Sequence, residues 1–349
     1  MRIVVTGGAG FIGSNFVRHV LAAHADDRVV VFDKLTYAGN LDNLRGLTAD
    51  PRYAFVRGDI CDPDAVAAVV AGADAVVNFA AETHVDRSIS GPEDFITTDV
   101  LGTHVLLEAV RAQAVPRYLQ VSTDEVYGDV ATGSSRETDP LRPSSPYSAS
   151  KAAADLMALA YRRTFGAPVL ITRSSNNYGP YQYPEKLVPL FVTNLLDGRP
   201  VPVYGDGGNV RDWIYVDDNC RAIDLVLRAG ADGEVYNVGG GHEVANIDLT
   251  RALLGALGLG DDMIRRVADR AGHDRRYSVD CSKLRTLGWA PQVPFDQGLA
   301  RTVAWYRDNR SWWEKIKSGD WKRYYAQQYG TFADEPRDGA GTVLLPASS

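Results

Sequence analysis

Ser122-Thr123-Asp124-Glu125 sets a hydroxyl and two adjacent carboxyls directly after the apolar run Tyr118 to Val121. Such a pair can divide proton work, one carboxyl held as an acid and its neighbour as a base, when their environments push their protonation states apart. A second pair, Tyr147 and Lys151, places a phenol and an ammonium four residues apart, on one face if a helix begins there. Ala149, Ala152, Ala153, Leu156 and Ala160 supply the apolar spacing of that helix. For a tyrosine to act as a base near neutrality its phenolate must be stabilised by about 4 kcal/mol, which nearby cations can supply. The expectation is a Tyr147 lowered by Lys151 together with the positive ring of a bound ligand.

These groups need a frame, and the chain before them supplies one. Residues 2 to 6 read as a short buried strand and Phe11 to Ala23 as a helix, with Gly7-Gly8-Ala9-Gly10-Phe11-Ile12-Gly13 spanning the junction. Glycines there permit a tight turn and let backbone approach a pyrophosphate, which the unpaired N–H groups of a helix start can bind. The strand Arg28 to Phe32 ends in Asp33, about twenty residues beyond the last glycine, where an acid binds ribose hydroxyls and repels a 2'-phosphate. The expected cofactor is therefore NAD rather than NADP.

Strand and helix patterns continue to alternate: strand Ala54 to Arg57, helix Pro63 to Ala71, strand Ala75 to Phe79, helix Gly102 to Gln113, strand Tyr118 to Val121 and strand Val169 to Arg173. That alternation predicts an α/β fold with a doubly wound parallel sheet of Rossmann type and ligands at the carboxyl ends of its strands. Asp59 is then a candidate partner for an adenine. The loop Ala80 to Ser88 falls beside the cofactor crevice, with His84 read as a structural histidine.

Composition limits the alternatives. A chain of 349 residues, 45% hydrophobic and 23% charged, is long enough for a large core, and its net charge of -7 argues against nucleic acid as a partner. Cys61, Cys220 and Cys281 are odd in number and widely spaced, so they predict neither disulfides nor a metal site, and they fit a reducing cytoplasm. The N-terminus imitates a signal peptide, but Gly7, Gly8, Gly10 and Gly13 interrupt its apolar stretch, and no run reaches the ~18 apolar residues of a membrane span. A soluble, cytoplasmic protein with no membrane partner is expected. The aromatic residues Trp305, Tyr306, Trp312, Trp313, Trp321, Tyr324 and Tyr325 have the spacing of a packed C-terminal helix pair rather than a stacking platform, with one tyrosine placed near a nucleotide base.

Through Gly7 to Gly13 and the Tyr147/Lys151 pair the chain resembles the extended short-chain dehydrogenase/reductase family. That resemblance implies that Tyr147 takes a hydroxyl proton as hydride passes to NAD, that Lys151 holds the ribose, and that Thr123 orients the substrate hydroxyl. Asp124-Glu125 is similar to the signature of nucleotide-sugar 4,6-dehydratases, which makes Glu125 the base at carbon 5 and Asp124 the acid at carbon 6. The implied NAD contacts are Gly7, Gly10, Phe11, Ile12, Gly13, Asp33, Lys34, Thr36, Asp59, Ile60, Phe79, Ala80, Ala81, Thr83, Thr98 and Asn177, with Tyr147 and Lys151.

The polar, aromatic segment Ser174 to Leu187 reads from its residues alone as a loop, ligand-facing or not. It resembles the dTDP-glucose branch of that subfamily, a similarity running over nearly all of residues 1 to 330. Substrate contacts implied by the resemblance are Thr83, Thr123, Asn176, Lys186, Leu187, Pro202, Val203, Tyr204, Arg211, Asn246, Arg270 and His273, the arginines suiting a diphosphate. The expected organisation is an NAD-binding domain over 1–175, a smaller α/β region over 176–330 that is mainly nucleotide-sugar-binding and partly returns to the main sheet, and a disordered tail over 331–349. A homodimer built on the helices near 102–113 and 150–164 is also implied. Asp99 departs from the asparagine common in the family. A related epimerase or decarboxylase, or a non-catalytic NAD-binding regulator, remains the alternative; the acid pair disfavours the first, and the retention of Thr123, Tyr147 and Lys151 disfavours the second.

Overall fold

The computed structural model describes residues 1–318 and 320–329. The first half of the chain runs β1 (Arg2–Thr6), α1 (Phe11–Ala23), β2 (Arg28–Asp33), β3 (Tyr53–Arg57), α2 (Pro63–Val70), β4 (Ala75–Asn78), α3 (Val85–Ser90), α4 (Glu93–Phe95), α5 (Thr103–Ala112), β5 (Tyr118–Thr123), α6 (Pro146–Phe165) and β6 (Val169–Ser174). The second runs β7 (Asn176–Tyr178), α7 (Leu187–Leu196), β8 (Val201–Tyr204), β9 (Val210–Tyr215), α8 (Val216–Ala229), β10 (Val235–Val238), β11 (Glu243–Ala245), α9 (Asn246–Ala256), β12 (Ile264–Val267), α10 (Ser282–Thr286), α11 (Phe295–Asp308), α12 (Arg310–Ile316) and α13 (Asp320–Tyr329).

Seven parallel strands form the central sheet in the order β10-β6-β5-β4-β1-β2-β3. Val, Ile and Leu dominate the inner strands because both faces are covered: one apolar layer holds Ile3, Val5, Val29 and Val77, the opposite layer Val4, Val76, Tyr118 and Ile171. Strand order reverses between β1 and β4, which opens a crevice at their carboxyl ends. The remaining strands, β11-β9-β7 and the β12-β8 pair, build with α7, α9 and α11 to α13 around a separate core.

Two elements differ from the sequence reading. The helix expected to start near Gly102 begins at Glu93 and passes through a π-helical turn, Ile96–Gly102, before α5. Gly102 is not a helix start but a contact point: a Cβ there would lie 2.4 Å from Ile60 Cδ1. The C-terminal aromatics occupy three helices rather than two, because the chain leaves helical geometry at Asn309 (φ -114°, ψ 41°). Tyr306, Trp312, Trp313, Trp321 and Tyr325 are buried and Trp305 and Tyr324 partly so, with Trp321 and Tyr325 stacked at 4.7 Å. The expected tail, 331–349, lies outside the described residues, and among the described residues no helix is long and apolar enough to cross a membrane.

Candidate active site

Every chemically suggestive group of the sequence ends on the same side of the sheet. β5 delivers Thr123, whose Oγ1 accepts the Glu125 backbone N–H at 3.2 Å and so caps the short 3-10 turn Asp124–Tyr127. Gly128 closes that turn at φ +76°, where a Cβ would meet Arg142 O at 2.2 Å, so no other residue fits without moving backbone. Opposite, Ser145 and Ser148 form a reciprocal capping box and Pro146 fills the first helical position, which starts α6 immediately before Tyr147. Tyr147 and Lys151 thereby share the face of α6 turned to β5, and Lys151 Nζ donates to Val121 O at 2.9 Å.

The two acids differ in setting. Asp124 is 3% exposed, and burial, the Glu125 carboxylate and Asp212 push its carboxyl well above the usual range against the opposing charge of Arg211. Thr123 Oγ1 donates to Asp124 Oδ1 at 3.2 Å, whereas Oδ2 has no partner among the described residues. Oδ2 is therefore the oxygen suited to carry a proton into the cleft. Glu125 is only partly buried and lines both cavities described below.

The protein's own groups do not lower Tyr147. Burial, followed by Glu125 and Asp99, drives its phenol well above its ordinary value, with only Thr83 hydrogen bonding opposing. Lys151, tied to the β5 carbonyl, does not reverse this; the chain's own groups hold Tyr147 as a neutral phenol. Lys186 Nζ stands 6.0 Å from the Tyr147 ring, and its ammonium is itself lowered by burial.

The first cavity runs from the glycine loop to Lys186 and gathers all the residues expected at a dinucleotide, from Gly7 to Asn177. Its residues fit such a ligand. Gly7 lies at φ +65° with Ala80 N only 2.6 Å from a built Cβ, and a Cβ on Gly13 would fall 2.5 Å from Gly7 O, so the loop stays pressed against the sheet and open above. The start of α1 has neither a side-chain cap nor an acidic residue in its first turn, leaving N–H groups for an anion. Asp33 carboxylate oxygens accept the Ala9 N–H at 2.9 Å and the Leu35 N–H at 2.8 Å, fixing the acid at the end of β2 with lone pairs to spare. Asp59 is paired with Lys34 at 2.6 Å rather than free. Thr98 reaches the cavity from the π turn, and Asn177 Oδ1 is buried without a partner among the described residues.

A second cavity adjoins the first at Glu125, Asn176 and Lys186. Leu187, Pro202, Val203, Tyr204, Arg211, Asn246, Arg270 and His273 all line it. Arg270 Nη1 is bonded to Asp86 at 2.9 Å, and the same carboxylate accepts the Tyr204 hydroxyl at 3.1 Å. Arg211 is held against backbone, donating to Asp274 O at 2.9 Å, with Tyr277 beneath its guanidinium at 4.2 Å. Tyr329 of α13 also reaches this cavity.

Sequence reasoning passed over several groups here. Asp86, Glu185 and Tyr277 line the second cavity and Glu82 the first. Glu82 is pushed up to about 7 by burial and by Asp99, while Asp99, fully buried, is raised to about 6. Asp99 Oδ2 accepts Ser150 Oγ at 2.6 Å and Oδ1 accepts the Glu82 N–H at 2.8 Å, so the carboxylate braces the turn between Tyr147 and Lys151. His84, expected to be structural, is buried with its value depressed to about 3 by burial and Lys186; its Nε2 bonds Glu185 O at 3.1 Å and it lines the second cavity. Only the proximity of Glu82 to the Ala80-Ala81 strand end hinted at these roles.

A family model described as GDP-mannose 4,6 dehydratase matches residues 4–302. The chain belongs to the 4,6-dehydratase family. Among its relatives, the dTDP-glucose 4,6-dehydratase of Streptomyces niveus is 56% identical over 92% of this chain and 97% of its own. That of Streptomyces antibioticus is 57% identical over 91% of this chain and 96% of its own. The crystal structure of the dTDP-glucose 4,6-dehydratase DesIV of Streptomyces venezuelae, solved with NAD bound, is 58% identical, superimposes with a TM-score of 0.90 and covers 91% of this chain and all of that one. The fold is thus that of the family, as the glycine loop and the alternating elements predicted.

Proposed function

We propose that this protein is an NAD-dependent dTDP-glucose 4,6-dehydratase, a hydro-lyase that yields dTDP-4-keto-6-deoxyglucose for deoxysugar biosynthesis. One observation carries the reading: Asp124, buried and with its carboxyl raised well above the usual range, and a partly exposed Glu125 sit side by side on the first cavity, with Tyr147 lining the same cavity and Glu125 reaching the second. Fold and Tyr/Lys pair serve many nucleotide-sugar enzymes; this acid pair suits elimination of water.

NAD, when bound, takes hydride from carbon 4 of the sugar and later returns it to carbon 6. Gly7 to Gly13 and the α1 N-terminus would hold its pyrophosphate and Asp33 its ribose. Thr123 and Thr83 would orient the carbon 4 hydroxyl, and Tyr147, raised by its surroundings in the protein alone, would accept its proton as a phenolate once the positive nicotinamide ring lies beside it and Lys151. The resulting ketone acidifies carbon 5, whose proton passes to Glu125. Asp124 Oδ2 gives its proton to the carbon 6 hydroxyl, which leaves as water. Glu125 would then return a proton to carbon 5, Tyr147 would release to solvent the proton it took from the carbon 4 hydroxyl, and Asp124 would take one up from solvent, so each residue regains its starting state. Arg211 and Arg270 offer forked donors to the diphosphate, and the Pro202-Val203-Tyr204 edge lines the nucleoside end.

A homodimer belongs to the same proposal. Exposed Ile96 and Leu101 on the π turn and Leu156 and Phe165 on α6 leave apolar surface for a partner copy. Sedimentation of Leu156→Asp as a monomer would support it.

The decisive experiment uses dTDP-glucose deuterated at carbon 4. The product should be lighter by one water and carry the label at carbon 6; label lost to solvent, or no loss of water, refutes the mechanism.

A further inference from the structure

At the end of α1 remote from the glycine loop stands a cluster with no part in the cleft chemistry. His19 lies near the end of α1, His24 is the first residue beyond it, and Asp224 faces both from α8. His24 Nε2 is 2.7 Å and His19 Nε2 3.3 Å from one oxygen, Asp224 Oδ2, and all three atoms fall within 4.8 Å of one another. In an unbroken helix, residues five apart point about 140° away from each other. His24 returns to the same side because the chain leaves α1 there in extended geometry (φ -130°, ψ 101°).

The carboxylate is oriented from behind. Asp224 Oδ1 accepts Arg228 Nε at 2.7 Å, and Arg228 Nη2 is in turn bonded to Asp27 at 2.5 Å. This leaves Oδ2 for the imidazoles, the outer support typical of a ligating carboxylate. Burial favours the neutral acid, but the two histidines and Arg228 outweigh it and hold Asp224 near 2, so it is a carboxylate throughout the neutral range.

We propose that His19, His24 and Asp224 form a binding site for a divalent first-row transition cation, zinc above all, that fastens α1 to α8. Two imidazole nitrogens and a carboxylate oxygen are the donor set zinc takes, and the separations, 2.7 and 3.3 Å to Asp224 Oδ2 with all three atoms within 4.8 Å, span the roughly 3.4 Å edges of a tetrahedron with bonds of about 2.0–2.1 Å. Water completes the shell from the solvent side, where His19 and His24 are partly exposed. The hard cations Mg²⁺ and Ca²⁺ prefer oxygen and should not compete. The groups facing the imidazoles are Asp217, Asp224 and Arg228 from α8, Asp27 beyond α1, and Arg52, which bonds His24 O.

The test is titration of the chelator-treated full chain with Zn²⁺ by calorimetry and with Co²⁺ by visible absorption. One equivalent should bind, d–d bands should appear with Co²⁺, and Tm should rise with the logarithm of Zn²⁺ concentration. His24→Ala should weaken binding by about tenfold or more, Asp224→Asn likewise, and His104→Ala should leave it unchanged. Turnover should not depend on the metal. Binding of equal affinity in His24→Ala, or no saturable binding by the unaltered chain, overturns the proposal.

Discussion

Replacing Asp124 by asparagine keeps the size and polarity of the side chain but removes the ionisable proton assigned to carbon 6. General acid catalysis is typically worth 10²–10⁴-fold, or about 3–5 kcal/mol of barrier. The upper half of that range is expected here, since a side chain 3% exposed leaves little room for water to substitute as the acid. Stability should move the other way. The raised value means that the folded protein favours neutral Asp124, so the wild-type loses stability as pH climbs from the ordinary carboxylate value toward the folded one. Asp124→Asn lacks that loss and should match or exceed wild-type Tm at pH 8. The assay follows two readouts on dTDP-glucose: product mass for loss of water, and absorbance of reduced nicotinamide for oxidation at carbon 4. Elimination should collapse while oxidation persists, so reduced cofactor accumulates. Turnover within threefold of wild-type, or equal loss of both half-reactions, would refute the division of labour.

Glu125→Gln should also halt dehydration, with exchange of solvent deuterium into carbon 5 lost; unchanged turnover would remove Glu125 as the base. Gly13→Ala pushes a methyl to 2.5 Å from Gly7 O and 2.8 Å from Gly8 Cα, backbone atoms that cannot swing aside, so NAD content after purification should drop sharply while the fold, by circular dichroism, is kept. Asp99→Asn restores the residue usual in the family: with the folded value near 6, the carboxylate costs stability that grows from about pH 4 to about 6 and reaches on the order of 3 kcal/mol above it. The variant should therefore gain Tm at pH 8 but not at pH 4; equal gains at both pH values would show that the carboxylate's charge is not the cause.

Much of the frame could be read from the chain because its signals are local. The turn at Gly7 to Gly13, Asp33 at the end of β2, and the four-residue step from Tyr147 to Lys151 each follow from spacing along one strand or helix. The start of α6 is likewise written in Ser145, Pro146 and Ser148. The π turn was not legible, since Gly102 looks like a helix boundary until Ile60 is seen against it. Nor was the break at Asn309, which splits a continuous aromatic pattern into α11 and α12.

The sequence by itself determined the parallel sheet and the dinucleotide loop, because residue type and period encode them, and through its resemblance to the family it singled out Thr123, Asp124, Glu125, Tyr147 and Lys151, which the structure brings to one cavity. Only the tertiary structure decided how these groups are shifted. Asp124 is raised by burial, by Glu125 and by Asp212 from β9; Tyr147 is raised by burial, by Glu125 and by Asp99 from the π turn; and Asp86 meets Arg270 across 184 residues of chain. Such values depend on burial and on charges brought from remote segments, and no local pattern records either.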